Sequence, residues 1–300
     1  MPELPDITVY VESLAAKIGG DTLQRVRIGD PFVLRTALPP VSSIEGRRVL
    51  GVARLGKRVV LELQGDDGRS LFVVIHLMIA GRLRWLASGA KPPGRGALAS
   101  LAFGGGTLVL TEAGSKRRAS IHLVAGRDAL AAMDPGGIDV LAADTAAFAR
   151  QLAAENHTLK RSLTNPRLFS GIGNAYGDEI LHRAKLSPIT LTRKLTPAEA
   201  QRLHDAARSV MHEWIERLRA EAARQGGWPD KVTAFRPEMA VHGRYRQPCP
   251  VCGAPVQRIV HADNETNYCA RCQTGGRLLA DRALSTLLKA SWPKRIDDLE

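Results

Sequence analysis

Cysteine is scarce in this chain: there are four in 300 residues, all between positions 249 and 272. So small and clustered a set excludes a disulfide framework and points to a reducing compartment. Long apolar stretches are missing too. No run of 18 apolar residues occurs, so no transmembrane helix is expected. The first residues carry Glu3, Asp6 and Glu12 and no basic n-region, which argues against a secretory signal and for a cytoplasmic protein. Internal repeats and long low-complexity tracts are absent, which excludes a solenoid. Acidic charge is in short supply. Asp+Glu number 30 against 42 Lys+Arg, giving a net charge of +12 and a pI near 10.0. Such an imbalance suits a polyanionic partner. The rest is ordinary for a globular chain of about two domains: 44% hydrophobic and 24% charged residues.

What is present begins with Met1-Pro2-Glu3-Leu4-Pro5-Asp6. Removal of the initiator methionine would leave a secondary amine at Pro2 with the Glu3 carboxylate beside it. A chain-terminal amine titrates near ~7.7–8.0, well below a lysine at ~10.4, so part of it is unprotonated at neutral pH. An amine attacking a sugar carbon at the carbonyl oxidation level forms a Schiff base. With a secondary amine the product is a permanently charged iminium. The plainer reading of Pro-x-x-Pro is a stiff lead-in to a helix. Ile7, Tyr10, Val11, Leu14 and Ile18 fall on one helical face, and Gly19-Gly20 ends that helix.

Residues 22 to 125 read mostly as short strands: Val26–Ile28, Arg48–Val52, Val59–Leu63, Leu71–Ile75, Leu98–Phe103 and Thr107–Leu110, with hairpins at 65–68 and 104–106. Segment 87–97 reads as a mobile loop. The Ala-rich stretch 127–147 reads as a connection. Helices are expected over 156–164, 174–185 and 197–223. The last has Thr196 as N-cap, Pro197 at the first position and Glu199 closing a capping box. Its stripe of Leu203, Ala207, Val210, Met211, Trp214 and Leu218 reads as core.

Four motifs carry chemistry. Cys249-x2-Cys252 and Cys269-x2-Cys272, sixteen residues apart, suit one closed, tetrahedral, structural Zn2+ with no open position for metal catalysis. Arg244, Tyr245, Arg246, Arg258, His261, Arg271 and Arg277 make its surroundings basic. Gly171-Ile-Gly173-Asn174 between two helices permits a tight turn that presents N–H groups to a phosphate, with Lys160, Arg161, Arg167 and Arg183 nearby in sequence; a plain helical corner fits the same pattern. Lys57, in Arg54-Leu-Gly-Lys57-Arg58, suits a phosphate or a solvated hairpin. In His76–Leu83, Met78 or Ile79 suits either a wedge at a turn or a core position.

Together, and in this order over about residues 1–277, these motifs resemble the Fpg/Nei family of bifunctional DNA glycosylases. The resemblance implies an α+β fold: an N-terminal helix plus an antiparallel β-sandwich, then a helix-two-turn-helix domain and a zinc-finger hairpin. The expected boundaries are 1–130, a linker at 131–147, 148–240, 241–277 and a helical extension at 278–300, where Leu278, Leu279, Leu284, Leu287 and Leu288 would pack back. It implies that Pro2 is the Schiff-base nucleophile at C1′, that Glu3 is the acid/base, and that Lys57 belongs to the catalytic set. His76, Lys160, Asn174, Arg117, Arg118 and Arg271 would bind DNA, with Lys57, His76 and Asn174 on the phosphates beside a flipped nucleotide. The implied protein is a monomer of the bacterial cytosol or nucleoid, working on damaged double-stranded DNA without a membrane.

The chain departs from the family pattern in places. Thr111-Glu-Ala-Gly-Ser-Lys-Arg-Arg-Ala-Ser120 holds no aromatic where the family has Asp-Pro-Arg-Arg-Phe-Gly, so Arg117 or Arg118 would have to enter the duplex. Asn264 stands where an arginine is usual, Ile79 where the methionine is usual, and Asp6 where a glutamate is usual. The 226–243 loop is short and lacks a Gly-rich lesion-capping stretch. These departures motivate a second reading, a damage-sensing DNA-binding protein without catalysis. A third, a zinc-ribbon scaffold for other proteins, leaves Pro2, Lys57 and Asn174 unexplained.

Overall fold

The computed structural model describes the chain except residues 91–93, 95, 114–115, 231, 233–234, 262–263, 281–285, 288–292 and 300. Two units are resolved: Met1–Pro135 with Trp214–Thr233, and Gly136–Glu213 with Ala234–Glu300.

The first unit opens with helix α1 (Leu4–Ile18). Its start is fixed by a reciprocal cap. The Glu3 carboxylate accepts from the Asp6 backbone, and the Asp6 carboxylate accepts from Glu3 N–H at 2.9 Å. Leu4, Ile7, Tyr10, Leu14 and Ile18 are fully buried, as the 3.6-residue spacing requires.

Among the described residues nine strands follow in two antiparallel sheets. One is ordered β1 (Thr22–Leu23), β3 (Arg47–Leu55), β4 (Arg58–Leu63), β5 (Leu71–His76), β9 (Ser120–Ala125). The other is ordered β2 (Arg25–Ile28), β7 (Ala97–Phe103), β8 (Gly106–Glu112), β6 (Gly81–Ala87). Val59, Leu61, Leu63, Val73 and Ile75 from the first sheet share one core with Leu83, Leu101, Phe103, Leu108 and Leu110 from the second, and with α1. The first sheet is apolar on its other face as well. Val60, Phe72 and Val74 are covered by Leu130 of helix α2 (Arg127–Ala131) and by Met133. Burial on both faces explains why β4 and β5 read as continuous apolar runs.

Three strands escape a search for apolar runs. β6 hides behind the His76–Leu83 motif, β9 carries His122 among its apolar residues, and β1 has two residues. Part of the expected 87–97 loop lies outside the described residues. Its first residue, Ala87, ends β6, and its last, Ala97, begins β7.

The second unit holds α3 (Thr145–Ala153), α4 (Leu159–Thr164), α5 (Asn174–Arg183) and the first part of α6 (Pro197–Arg224), whose last turns belong to the first unit. Helix α3 lies partly inside the stretch expected as a connection. Only Phe148 and Leu152 of it are buried, so its periodicity is faint. The α6 capping box is present: Thr196 N–H donates to Glu199 at 2.9 Å, and Glu199 N–H donates back to the Thr196 hydroxyl at 3.3 Å. The hairpin β10 (Gln257–His261) and β11 (Asn264–Tyr268) leads into α7 (Ala270–Thr274).

The helix expected in the C-terminal extension lies mostly outside the described residues, of which Thr286 and Leu287 are helical. Leu278 and Leu279 are buried with Tyr268, Ala270 and Ile296, but Leu287 is 76% exposed. Leu284 and Leu288 lie outside the described residues. The docking runs through backbone: Leu279 N–H donates to the Tyr268 hydroxyl at 2.8 Å, and Ile296 N–H to the Gly276 carbonyl at 2.8 Å. A short 3-10 turn, Ile296–Leu299, follows near the end of the chain.

The segment after α6 also carries a surprise. Trp228 and Val232 enter the first unit's core, where the sequence suggested only a short loop. The Trp228 indole N–H donates to the Leu83 carbonyl at 3.3 Å, and its ring lies 5.5 Å from Tyr10 and 6.2 Å from Trp85. Trp228→Ala should therefore lower stability by about 3–5 kcal/mol through the void it leaves in the core. Urea unfolding followed by tryptophan fluorescence and by circular dichroism measures it. An exposed loop tryptophan would give a change near zero.

Candidate functional site

Strand register gathers one edge of the first unit. Arg58 pairs with His76, His76 with Ser120, and Gly81 with Glu112. The Gly56-Lys57 turn, the Leu77–Ala80 turn and the loop from Ala113 to Ala119 are therefore neighbours at the same end of the sandwich. The Leu77–Ala80 turn is tight. Met78 holds φ +51°, unusual for a non-glycine residue. Gly81 closes the turn with its N–H on the Leu77 carbonyl at 2.9 Å, and a Cβ there would lie 2.3 Å from that same oxygen. This geometry leaves Ile79 59% exposed.

The chain terminus lies in the field of this edge. Pro2 and Glu3 are buried. Burial pulls the Met1 ammonium below its ordinary value, and the Arg82 and Lys57 cations push the same way, against Glu3 and Asp6. With Met1 in place the Pro2 nitrogen is an amide, and the terminal amine is that of Met1. Arg82, to which the sequence assigned no role, is thus part of the constellation. Its guanidinium is steadied by the Gly81 carbonyl at 2.7 Å. The one available signal was its place directly after Gly81.

His76 is near the terminal set, but not as a cation. Burial lowers it to about 4, aided by Arg58, Lys57 and His122. Near neutrality it offers a neutral ring nitrogen. Arg117 and Arg118 stand on the loop after β8, both exposed. Arg117 reaches Asp30 at 3.0 Å. The base of the loop is fixed by buried Glu112, which accepts from Arg118 N–H at 2.8 Å and Ala119 N–H at 2.9 Å.

The second unit is organised by two buried carboxylates on α5, Asp178 and Glu179. Asp178 is fully buried. It accepts from Lys160 Nζ at 2.6 Å, His242 Nδ1 at 2.7 Å and Asn267 N–H at 3.1 Å. Glu179 accepts three backbone N–H groups, from Ala240 at 2.7 Å and from Val241 and His242 at 2.9 Å. Burial still raises Glu179 above its usual range, with those three bonds opposing. The two side chains tie the helix to the chain entering the zinc hairpin.

Lys160, expected on DNA, therefore has its charge committed inside the unit. It is 12% exposed and also donates to the Asn174 carbonyl. The Asn174 side-chain amide donates to the Glu265 carbonyl at 2.8 Å, fixing that side chain against β11. Arg271 is exposed and pairs with Asp297 at 3.2 Å.

The four cysteines converge. Their sulfurs lie within 4.8 Å of one another, with Cys249–Cys272 at 3.9 Å and Cys252–Cys269 at 3.4 Å. Tetrahedral zinc with Zn–S near ~2.3 Å needs sulfurs about 3.8 Å apart, so this set fits the ion. The chemistry fits as well. Burial raises the Cys269 and Cys272 thiols, the latter to about 11, and a dication reverses that cost by binding the thiolates. His182, lowered to about 4 by burial and so neutral, stands with Nε2 3.3 Å from Cys249 Sγ, where an N–H would support the ligand.

Three family models match the chain: the formamidopyrimidine-DNA glycosylase N-terminal domain over residues 1–119, its H2TH domain over 137–223, and the zinc finger found in FPG and IleRS over 246–275. A formamidopyrimidine-DNA glycosylase of Thermus thermophilus is 36% identical over 295 residues, covering 92% of this chain and all of that protein. The crystal structure of the Fpg protein from the same organism superposes with a TM-score of 0.72 at 33% identity, covering 91% of this chain and 98% of that one. A Lactococcus lactis Fpg in complex with Fapy-dG-containing DNA gives a TM-score of 0.78 at 24% identity, covering 91% of this chain and all of that one, which shows the shared fold. No helix among the described residues is long and apolar enough to cross a membrane.

Two outcomes follow from the geometry. His76 has a lowered folded-state value, so its contribution is present above the ordinary histidine range and is lost as pH falls from about 6.5 toward about 4. His76→Gln should lose less stability than the parent between pH 7 and pH 4.5 in matched denaturant titrations. A parallel decline in both would remove the burial argument. Elemental analysis should find one zinc per chain, and chelation should unfold the hairpin. Structural zinc contributes roughly 10–16 kcal/mol in isolated fingers. A Cys252→Ser chain that keeps its zinc would contradict the ligand set.

Proposed function

This chain belongs to the formamidopyrimidine-DNA glycosylase family of DNA-repair enzymes, and we propose that it excises an oxidised base from double-stranded DNA and then cuts the strand as an AP lyase. The supporting observation is the buried N-terminus under the Lys57–Arg82 field. That environment favours an uncharged amine and attracts phosphate in the same place.

The proposed chemistry starts once Met1 is removed. The Pro2 nitrogen attacks C1′ as the C1′–base bond breaks, and the base leaves with a proton. Glu3 then donates a proton to the sugar ring oxygen, the C1′–O bond opens, and the nitrogen lone pair forms the C=N bond of the iminium. The iminium acidifies the C2′ hydrogens. Loss of a C2′ proton to a base expels the 3′ phosphate by β-elimination, and water on the iminium carbon releases the enzyme. Glu3 fits the proton role because it is 2% exposed and held by the helix cap one residue from the amine. Lys57 supplies a point charge for a neighbouring phosphate, and neutral His76 an N–H. Asn174 enters through the helix start it fixes, and Lys160 supports Asn174 instead of binding DNA itself. Arg117, Arg118 and Arg271 are exposed cations for the duplex backbone. The cysteine set holds the zinc as a structural ion, and the protein acts as a monomer.

A non-catalytic damage sensor is the second reading. It is favoured by the loss of the aromatic from the 111–120 loop and by Asn264, and it is the required reading if Met1 stays in place. Borohydride reduction on an abasic duplex separates the two. Processed protein, checked by N-terminal mass spectrometry, should give a covalent adduct. Pro2→Gly should largely lose it, and Glu3→Gln should slow base excision by about 100-fold or more. Processed protein that binds the duplex yet never traps would leave only the sensor.

A further inference from the structure

We infer that Phe32 is a duplex-probing aromatic that stacks on the base pair exposed when the damaged nucleotide leaves the helix. The inference rests on the proposed function and adds a residue that the sequence motifs do not include.

Phe32 is 80% exposed, more than any other large apolar side chain among the described residues. Its exposure is built by its neighbours. Asp30 caps the short 3-10 turn Pro31–Val33, accepting from Phe32 N–H at 3.1 Å. On the far side Val33 is buried, Leu34 bridges to Ile121, and Arg35 N–H donates to the Ile121 carbonyl at 2.9 Å. The backbone is held at both ends and the ring points away from the core. A free surface gives no physical return for that arrangement. A base face does, because aromatic stacking on an unpaired base is favourable whatever the base.

Its location selects the partner. Ile121 lies on β9 next to Ser120, which pairs with His76, so the turn sits at the edge that carries Lys57, the Leu77–Ala80 turn and the terminus. Asp30 also accepts from Arg117 at 3.0 Å, tying the turn to the loop after β8. That loop brings Lys116, Arg117 and Arg118 and no aromatic side chain. Exposed Arg35 adds a fourth cation. An exposed apolar ring on an edge that also carries these four cations suits a stacked base flanked by phosphates, not an apolar protein surface. Ile79, 59% exposed on the neighbouring turn, is a second apolar probe, so two wedges stand on one edge. Engagement replaces the Asp30–Arg117 pair with an Arg117–phosphate pair and leaves the Phe32 anchor unchanged.

The test uses the full-length, zinc-loaded protein and a duplex with a tetrahydrofuran abasic analogue and 2-aminopurine in the opposite strand. Wild type should change the probe fluorescence on binding. Phe32→Ala should abolish most of that change and weaken lesion-duplex binding by roughly tenfold, while Phe32→Trp restores both. Thermal melting should be the same for all three, since the ring is mostly in solvent. Leu50→Ala, which removes an exposed apolar side chain from β3, should leave fluorescence and binding at wild-type levels. If wild type binds and Phe32→Ala keeps the fluorescence change and the affinity, the assignment of Phe32 is wrong and the proposed function stands. If wild type itself does not bind the lesion duplex, the proposed function fails and takes this inference with it.

Discussion

The proposed chemistry depends on where the first residues of the chain are held. A chain terminus is ordinarily the most mobile part of a domain. Here Leu4, Ile7, Tyr10, Leu14 and Ile18 fix α1 in the core, and the reciprocal Glu3–Asp6 cap brings that order back to the residue beside Pro2. Outside the core, Arg219 on the last turns of α6 adds a tie to Glu12 at 2.8 Å. The cap does two jobs. It satisfies backbone donors at the helix start, and it fixes the Glu3 carboxylate beside Pro2. A glutamate at position 6 would reach one methylene further, so aspartate sets a shorter span for the same exchange.

The second unit solves a different problem with the same device. A zinc hairpin has little core of its own: Val241, Cys249, Ala254, Val256 and Cys269 form its central cluster. Its attachment therefore comes from Asp178 and Glu179, which between them accept from Lys160, His242, Asn267 and three consecutive backbone amides. Buried carboxylates of this kind contribute little net stability, because desolvation offsets attraction. Removing one partner leaves an uncompensated charge, so they fix geometry strictly. Lys160 shows the consequence. A lysine that would otherwise be free to meet a phosphate is needed to balance Asp178.

Much of this was legible in the sequence, and the exceptions have physical causes. The α1 stripe, the α6 capping box, six of the nine strands and the cysteine set are local patterns, and each is present. Family membership followed from their order. What did not show was whatever depends on a partner distant in sequence. Lys160 and Asp178 are 18 residues apart, but Asp178 and His242 are 64 apart, and no spacing rule links them. Trp228 looked like a loop residue because its core contacts, Tyr10 and Leu83, come from the other end of the chain. The state of His76 was hidden for the same reason. A histidine in a basic motif suggests charge, and only the fold shows that burial and the neighbouring Arg58 and Lys57 remove it.

That neutrality belongs to the design of the edge. A reacting amine needs its proton removed, and a bound phosphodiester needs positive charge nearby. In the proposed function burial meets the first demand, with Arg82 and Lys57 acting against the opposing Glu3 and Asp6 carboxylates, and the same two cations meet the second. A third full charge at His76 would help the phosphate, but at a site already desolvated it would have to stand next to Arg58 and Lys57. The fold instead leaves a neutral ring there and places further cations, Lys116, Arg117 and Arg118, on an exposed loop where solvent screens their repulsion. Charge is thus graded from a desolvated terminus outward to a wetted rim. In the proposed function the terminus is where a proton is lost, and the rim is where the polyanion is first met.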